Sequence, residues 1–420
     1  MPRGVNSSAN RPASRRGLVS LTLAVLALAV SCRVERGTQL LQREELFELP
    51  YGLAADELNL FNLPGNAPPL KTRLAMRDGL FFVVNGNAGK VLTFSSYGDL
   101  LGMLYNPERN PEPFGLTKID SFDLSTSRQS DGRLAASYPF NAPGEIAVDA
   151  DRRLYIEEHL PLERRYHDEA SGAWLDQVVL RFSATGQYLD YLGQEGIGGT
   201  PFPFIRRLQI TEGDDCVVIC QLVDTWLVYW FDNAGMVRHL VELPAANTPL
   251  PEETANLIAS LDEVQVAEDG SGLLLKVDYY QELIDQATNL PAEIRFFKTI
   301  VWKMDPADGS YRERYDIIPF ESELARRNNE NIIPRSWSLI GNADGWLFFT
   351  ATDGDGQTYY ALFDEATRQV RRFSIEIRAD EINYMNFMVS NDKILCALLG
   401  STGAVRVVWW RFDQQTGGFN

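Results

Sequence analysis

Cysteine and histidine are scarce in this chain, four and three among 420 residues. So few thiols exclude a disulfide framework as the source of stability, and a chain of this length can bury an ordinary hydrophobic core instead. Basic residues are also in short supply: 39 Lys and Arg stand against 57 Asp and Glu, a formal charge of −18. That balance excludes nucleic acid as a partner, because phosphates need Lys and Arg to displace their counterions. It also disfavours adsorption of the surface to anionic lipid headgroups. Long amphipathic helices are missing, and no Gly-x-Ser-x-Gly elbow, phosphate loop, Rossmann fingerprint or HExxH motif occurs. No cofactor is therefore expected, and any catalytic site would have to be assembled from separate loops.

Cys216 and Cys220 lie in the apolar run CVVICQLV. As a strand, that run separates their α-carbons by about 13 Å, beyond the roughly 7 Å limit for a disulfide. Together with Cys396 they read as buried thiols acting as small apolar residues.

The N-terminus has three parts. Residues 1–16 carry Arg3, Arg11, Arg15 and Arg16 and no acid; Gly17 to Val30 is apolar; Ser31-Cys32 follows. A basic region, a short apolar core and a small residue form a secretory signal. The core is about 14 residues, roughly 21 Å as a helix, and a bilayer core of about 30 Å is thicker than that. Leu28-Ala-Val-Ser-Cys32 resembles the bacterial lipobox, in the relaxed form of spirochaetal lipoproteins. The resemblance implies lipidation of Cys32 and anchoring to the cell envelope through several acyl chains, a stable attachment where one chain would not suffice. The expected division is a signal peptide at 1–31, a tether at 32–43 and one domain at 44–420. Cleavage before Cys32 would leave 35 basic and 57 acidic residues, a charge of −22.

One unit recurs along the remainder: an apolar strand, an Asp/Asn/Gly turn, a second strand, a break, then a third strand, a Gly turn and a fourth. The clearest copy runs Gly144–Asp149, Arg153–Ile156, Val178–Phe182 and Gly186–Leu189. Others begin at Leu74 and Arg207, with later ones near Val264, Trp337 and Phe387, about six in all. These copies resemble the NHL repeat over roughly residues 70–413, and most closely in the first three units. The resemblance implies an all-β fold, a six-bladed β-propeller of four-stranded antiparallel blades. Such units bury both faces only by packing radially. Long hairpin insertions are expected at about 105–140, 158–177, 278–298 and 319–335. The last unit offers three strands, so Glu44–Leu49 (EELFEL) is expected to supply the fourth and close the ring.

The loops before first strands and the turns between second and third strands converge on one propeller face. That rule nominates Asn85, Asn87, Lys90, Glu157, Glu158, Arg206, Asp224 and Trp226 as ligand contacts. His159 and His167 flank a charged insertion, which reads as a solvated hairpin before it reads as a metal site. Asp353-Gly-Asp-Gly356 reads as a hairpin turn before it reads as a calcium loop. The composite expectation is an exported, lipid-anchored binding or scaffolding module for a protein, peptide or glycan. Its alternative is a lyase or hydrolase with a site at the channel mouth.

Overall fold

Apolar runs such as CVVICQ and ILCALLG have no polar face to turn to solvent, so a strand made from them must be covered on both sides. The computed structural model describes residues 38–61, 69–122, 132–169, 171–252, 257–284 and 291–416. Cys32 and the expected signal peptide lie outside the described residues. From Leu40 onward the chain packs as one unit.

Antiparallel sheets follow one another in chain order. The first contains Thr72–Arg77, Leu80–Asn85, Lys90–Phe94 and Leu100–Tyr105. The second contains Pro143–Val148, Leu154–His159, Gln177–Phe182 and Tyr188–Gly193, and the third Ile205–Ile210, Cys216–Gln221, Thr225–Phe231 and Val237–Pro244. Leu257–Val266, Leu273–Ile284, Pro291–Met304 and Tyr311–Ile317 form the fourth. The fifth is Ser338–Ala343, Trp346–Thr352, Thr358–Asp364 and Val370–Ser374. Tyr384–Val389, Ile394–Gly400 and Ala404–Arg411 begin the sixth, and its outer strand is Arg43–Pro50 from the other end of the chain. Glu44 stands opposite Trp409 and Leu49 opposite Val405, so the expected closing strand is present. Asp78-Gly79 and Asp344-Gly345 join first to second strands with positive φ at both positions (51° and 72°, 47° and 73°), the backbone a two-residue hairpin needs.

Each sheet lies face to face with the next. Phe82 and Val84 of the first meet Ile156 and Leu180 of the second. Tyr155 and Val179 meet Val218 and Phe231 of the third, and Ile219 and Trp230 meet Val264 and Leu275 of the fourth. Leu274 and Val301 meet Phe349 and Ala361 of the fifth; Phe348 and Leu362 meet Leu395 and Trp410 of the sixth. Leu398 and Val407 then return to Leu74 and Phe81 of the first, where Cys396 Sγ lies 3.6 Å from Met76 Sδ. This is a β-propeller. Cys216, Cys220 and Cys396 are free, buried thiols in these interfaces.

The regular plan of six equivalent four-stranded antiparallel blades needs correction. The first sheet gains Leu134–Ser137 and Thr117–Asp120, both in parallel pairings that the long stretch after Tyr105 makes possible. Gly196–Ile197 lengthens the second sheet. The hairpin insertion expected at about 278–298 is present: residues 278–284 and 291–298 continue the central strands of the fourth sheet as a long hairpin. First strands of five sheets line the central cavity, whereas Leu257–Val266 reaches it only beyond its end, at Glu268. The Asp353–Gly356 turn joins two strands of the fifth sheet, and the Asp353 carboxylate accepts from Ser322 Oγ (2.6 Å) and the Leu324 N–H (3.1 Å).

Ring closure carries its own ion-pair clasp. The Arg43 guanidinium donates from both terminal nitrogens to the buried Glu381 carboxylate (2.6 and 2.7 Å), and Arg406 adds a third bond at 2.9 Å. Burial alone would raise the Glu381 carboxyl, yet the bonds from Arg43, the Arg378 N–H and Arg406 outweigh it and bring it down to about 2. Folding therefore gains from this ionised group above the unfolded value near 4.5, and the gain is lost as pH falls towards 2. Glu381→Gln leaves two arginines without their shared anion and should cost roughly 3–5 kcal/mol in urea unfolding at pH 7. The difference from the parent protein should shrink in titrations carried down from pH 5 to pH 2. A variant with parental stability at pH 7 would show that the clasp contributes nothing to closure.

Candidate functional site

First strands run along the propeller axis and enclose a polar cavity of about 410 Å³. These strands are not bonded to each other through their backbones, so their inner edges would leave polar groups unpaired. Side-chain amides fill the gap. Asn386 Oδ1 accepts from the Leu74 N–H (3.0 Å), Gln209 Oε1 from the Val266 N–H (2.9 Å), and Asn342 Oδ1 from the Glu268 N–H (2.8 Å). Asn342 Nδ2 donates to the Val266 carbonyl (2.9 Å), and Gln265 Nε2 to the Leu339 carbonyl (3.3 Å). These amides stitch neighbouring first strands into a girdle.

At the mouth, four first strands contain register shifts, opposite Glu157 and at Arg206, Asp262 and Ile340. A bulge adds a residue and re-aims the side chains around it. At Arg206 it lets two consecutive arginines line the cavity. Arg207 Nε and Nη2 both donate to Glu263 Oε1 (2.9 and 2.6 Å), whereas Arg206 lies 3.8 Å from Glu263 Oε2 and its side chain is 49% exposed. Arg73 Nε donates to Glu145 Oε1 (2.8 Å), and Lys71 Nζ bonds Glu157 Oε2 (2.7 Å) and the Ile205 carbonyl (3.0 Å). In the adjoining sector, buried Lys276 bonds Asp262 and Asp278 at 2.7 Å each.

His159 continues the network, with its ring nitrogens 3.2 Å from Glu157 Oε1 and 3.7 Å from Asp176 Oδ2. Burial opposes the imidazolium, but the neighbouring carboxylates of Asp176 and Glu157 prevail and raise His159 to about 9. Glu157 responds in the opposite sense: burial would raise it, and His159 with Lys71 hold it below the usual carboxylate range. Glu158 points elsewhere, accepting from the N–H groups of Asn141 and Ala142 (the latter 3.2 Å); burial pushes it up to about 7, and its Oε2 is buried without a partner. His167 belongs to a separate exposed hairpin, Tyr166–Asp168 with Ala173–Leu175. Among the described residues no three His, Cys, Asp or Glu side chains converge to hold a metal.

The sequence-derived candidates thus separate. Glu157 pairs with Lys71 and His159, and Arg206 lies beside Glu263 in a second cluster with Arg207. Asn85 is fully buried, its amide bonded to Asn59 and Thr72 Oγ1 (2.9–3.0 Å), and Asn87 ties the Leu70 N–H (2.8 Å) to the Asn59 carbonyl (3.0 Å). Gly86 between them allows the close crossing, since a Cβ there would lie 2.7 Å from the carbonyls of Lys71 and Pro143. Lys90 donates to the Ala54 carbonyl (2.7 Å), Trp226 packs between the third and fourth sheets, and Asp224 is an exposed turn residue. Lys71, Arg73, Glu145, Arg207 and Glu263 were missed, although their places in or just before first strands fall under the rule that nominated Arg206.

The fold and channel define a member of the β-propeller class. No family model matches the chain, and no curated protein matches it in sequence. Among solved structures, it is similar over 89% of its length to 99% of the GH93 α-L-arabinofuranosidase of Fusarium graminearum (8% identity, TM-score 0.44). It is similar over 81% to 78% of a chain of Kuenenia stuttgartiensis hydrazine synthase (10%, 0.37) and over 77% to 85% of a Bacteroides caccae protein of unknown function (9%, 0.33). Nothing about the chemistry of this chain follows from likenesses so slight.

Lys90 is fully buried with carbonyl partners, and loss of solvation lowers it to about 8. The folded state disfavours its charge, so the penalty present below pH 8 is relieved as pH rises from 8 towards the unfolded value of 10.5. Across that window the parent should gain up to about 1.4 kcal/mol per pH unit relative to Lys90→Met, whose unfolding lacks this titration. Denaturant curves of both proteins at pH 7 to 10 check it; parallel pH profiles would refute it.

Proposed function

We propose that this chain is an exported lipoprotein, held to the cell envelope by a lipid on Cys32, whose NHL-type propeller of six blades is a binding or scaffolding module. The six-blade reading is supported by the unbroken cycle of face-to-face interfaces, which passes through six sheets before returning to the first. One observation carries the binding reading: the charged side chains of the mouth are already held by partners around an open polar cavity, with Arg206 still presented to solvent. Groups fixed before a ligand arrives cost little ordering on binding, which suits recognition. The partner is a protein, peptide or glycan that enters the mouth.

Calorimetric titration of purified protein with a ligand panel tests this reading. A ligand recovered intact after saturable binding supports it, and a ligand converted to product overturns it. For the anchor, Cys32→Ala should abolish incorporation of labelled palmitate and move the protein from the detergent to the aqueous phase on Triton X-114 partition. Equal labelling of parent and variant would sink the anchoring proposal. A lyase or hydrolase remains the second reading because His159, raised to about 9 between two carboxylates, could serve as a proton donor at neutral pH. On that reading His159→Asn stops turnover without changing ligand affinity more than severalfold.

A further inference from the structure

We propose that the mouth around Arg206 is a subsite for an acidic saccharide, with the guanidinium receiving a sugar carboxylate and the Phe204 ring supporting a sugar face. This assignment rests on the binding reading above and adds the chemical class of the ligand.

Charge is the first argument. The chain as a whole is strongly acidic, yet in the sector between the first and fourth sheets the four cations Lys71, Arg73, Arg206 and Arg207 have three carboxylates, Glu145, Glu157 and Glu263, as ion-pair partners. Arg207 holds Glu263 through Oε1 in two short bonds, and Arg206, 3.8 Å from Oε2, makes no hydrogen bond to that carboxylate. Its planar fork of donors therefore remains available, in the geometry that fits a carboxylate through two parallel bonds.

The second argument is the ring two residues earlier. Phe204 is 45% exposed, and Lys71 Nζ lies 5.1 Å from its centroid. Two residues along the chain from Arg206 and in contact with the Lys71 ammonium, this exposed ring offers apolar support for a ligand at the mouth. The third argument weighs against a peptide. An extended peptide that binds by strand addition needs a free sheet edge. At the channel, Asn386, Gln209 and Asn342 already occupy backbone N–H groups of Leu74, Val266 and Glu268. Strand addition is thus disfavoured there, and the hydroxyl and carboxylate groups of an acidic saccharide suit the charged side chains of the mouth. The cavity of about 410 Å³ is of ligand-binding size.

The full-length chain in detergent is titrated with oligogalacturonate, with the same oligosaccharide after carboxyl reduction, and with an Asp/Glu-rich peptide. The acidic oligosaccharide should bind at least about tenfold more tightly than its reduced form. Arg206→Gln should weaken it by about tenfold or more without moving the thermal midpoint, Arg206→Lys should restore part of the loss, and Phe204→Ala should weaken both saccharides. Equal affinity for the reduced sugar, parental affinity in Arg206→Gln, or preference for the peptide overturns the acidic-saccharide assignment and leaves the binding reading in place. No binding by any probe also overturns the assignment. Cleavage of the oligosaccharide by the parent protein overturns the binding reading instead.

Discussion

Each of the six large sheets described needs two neighbours, because its central strands bury apolar side chains on both faces. Gln177–Phe182 and Ile394–Gly400 are buried along their whole length. A linear stack of such sheets would leave an exposed apolar face at each end; a ring leaves none. Closure is thus the constraint on which the structure depends, and Arg43–Pro50 provides it by pairing with a strand more than 350 residues away. Leu49 is nearly fully buried in the closing interface, where a leucine contributes about 1.5–3 kcal/mol through lost contact with water. The arginines around Glu381 add direction to that attraction. They require the N-terminal strand and the stretch before Tyr384 to meet in one arrangement.

A ring also creates a problem that a stack does not have. Its first strands turn their edges towards a wet channel, where backbone groups could pair with an incoming strand. Here the amide girdle occupies several of those groups and joins neighbouring sheets at the same time. Bulges at the mouth act differently. The extra residue breaks the strict alternation of a strand, so a position expected to be buried can instead turn a charged side chain into the cavity. Arg206 and Arg207 depend on that break. The polar character of the mouth is therefore a product of irregular register on a regular frame.

Much of the frame is legible in the residues alone. The run Gly144–Asp149 followed by Arg153–Ile156 shows two strands and a turn, and its recurrence shows the radial plan, since local apolar period and turn chemistry are properties of adjacent residues. The closing strand can be inferred too, because a three-stranded last unit and an unpartnered EELFEL segment complete each other. The parallel strands Thr117–Asp120 and Leu134–Ser137 are not legible in this way. Both depend on which distant edge happens to be free. The site divides along the same line. Asn85 and Lys90 resemble ligand contacts as polar residues at a turn, but residues 53–59 fold over them and accept their hydrogen bonds.

By itself, then, the sequence determined the all-β class, the repeat, the burial of Cys216, Cys220 and Cys396 and the need for a strand from the N-terminal side. Each of these follows from composition or from spacing within a few residues. Only the tertiary structure decided which charges meet at the mouth. Lys71, Glu157 and the carbonyl of Ile205 come from three different sheets or their approaches. Their meeting depends on the curvature of the ring and on register shifts of a single residue, and no local pattern encodes either.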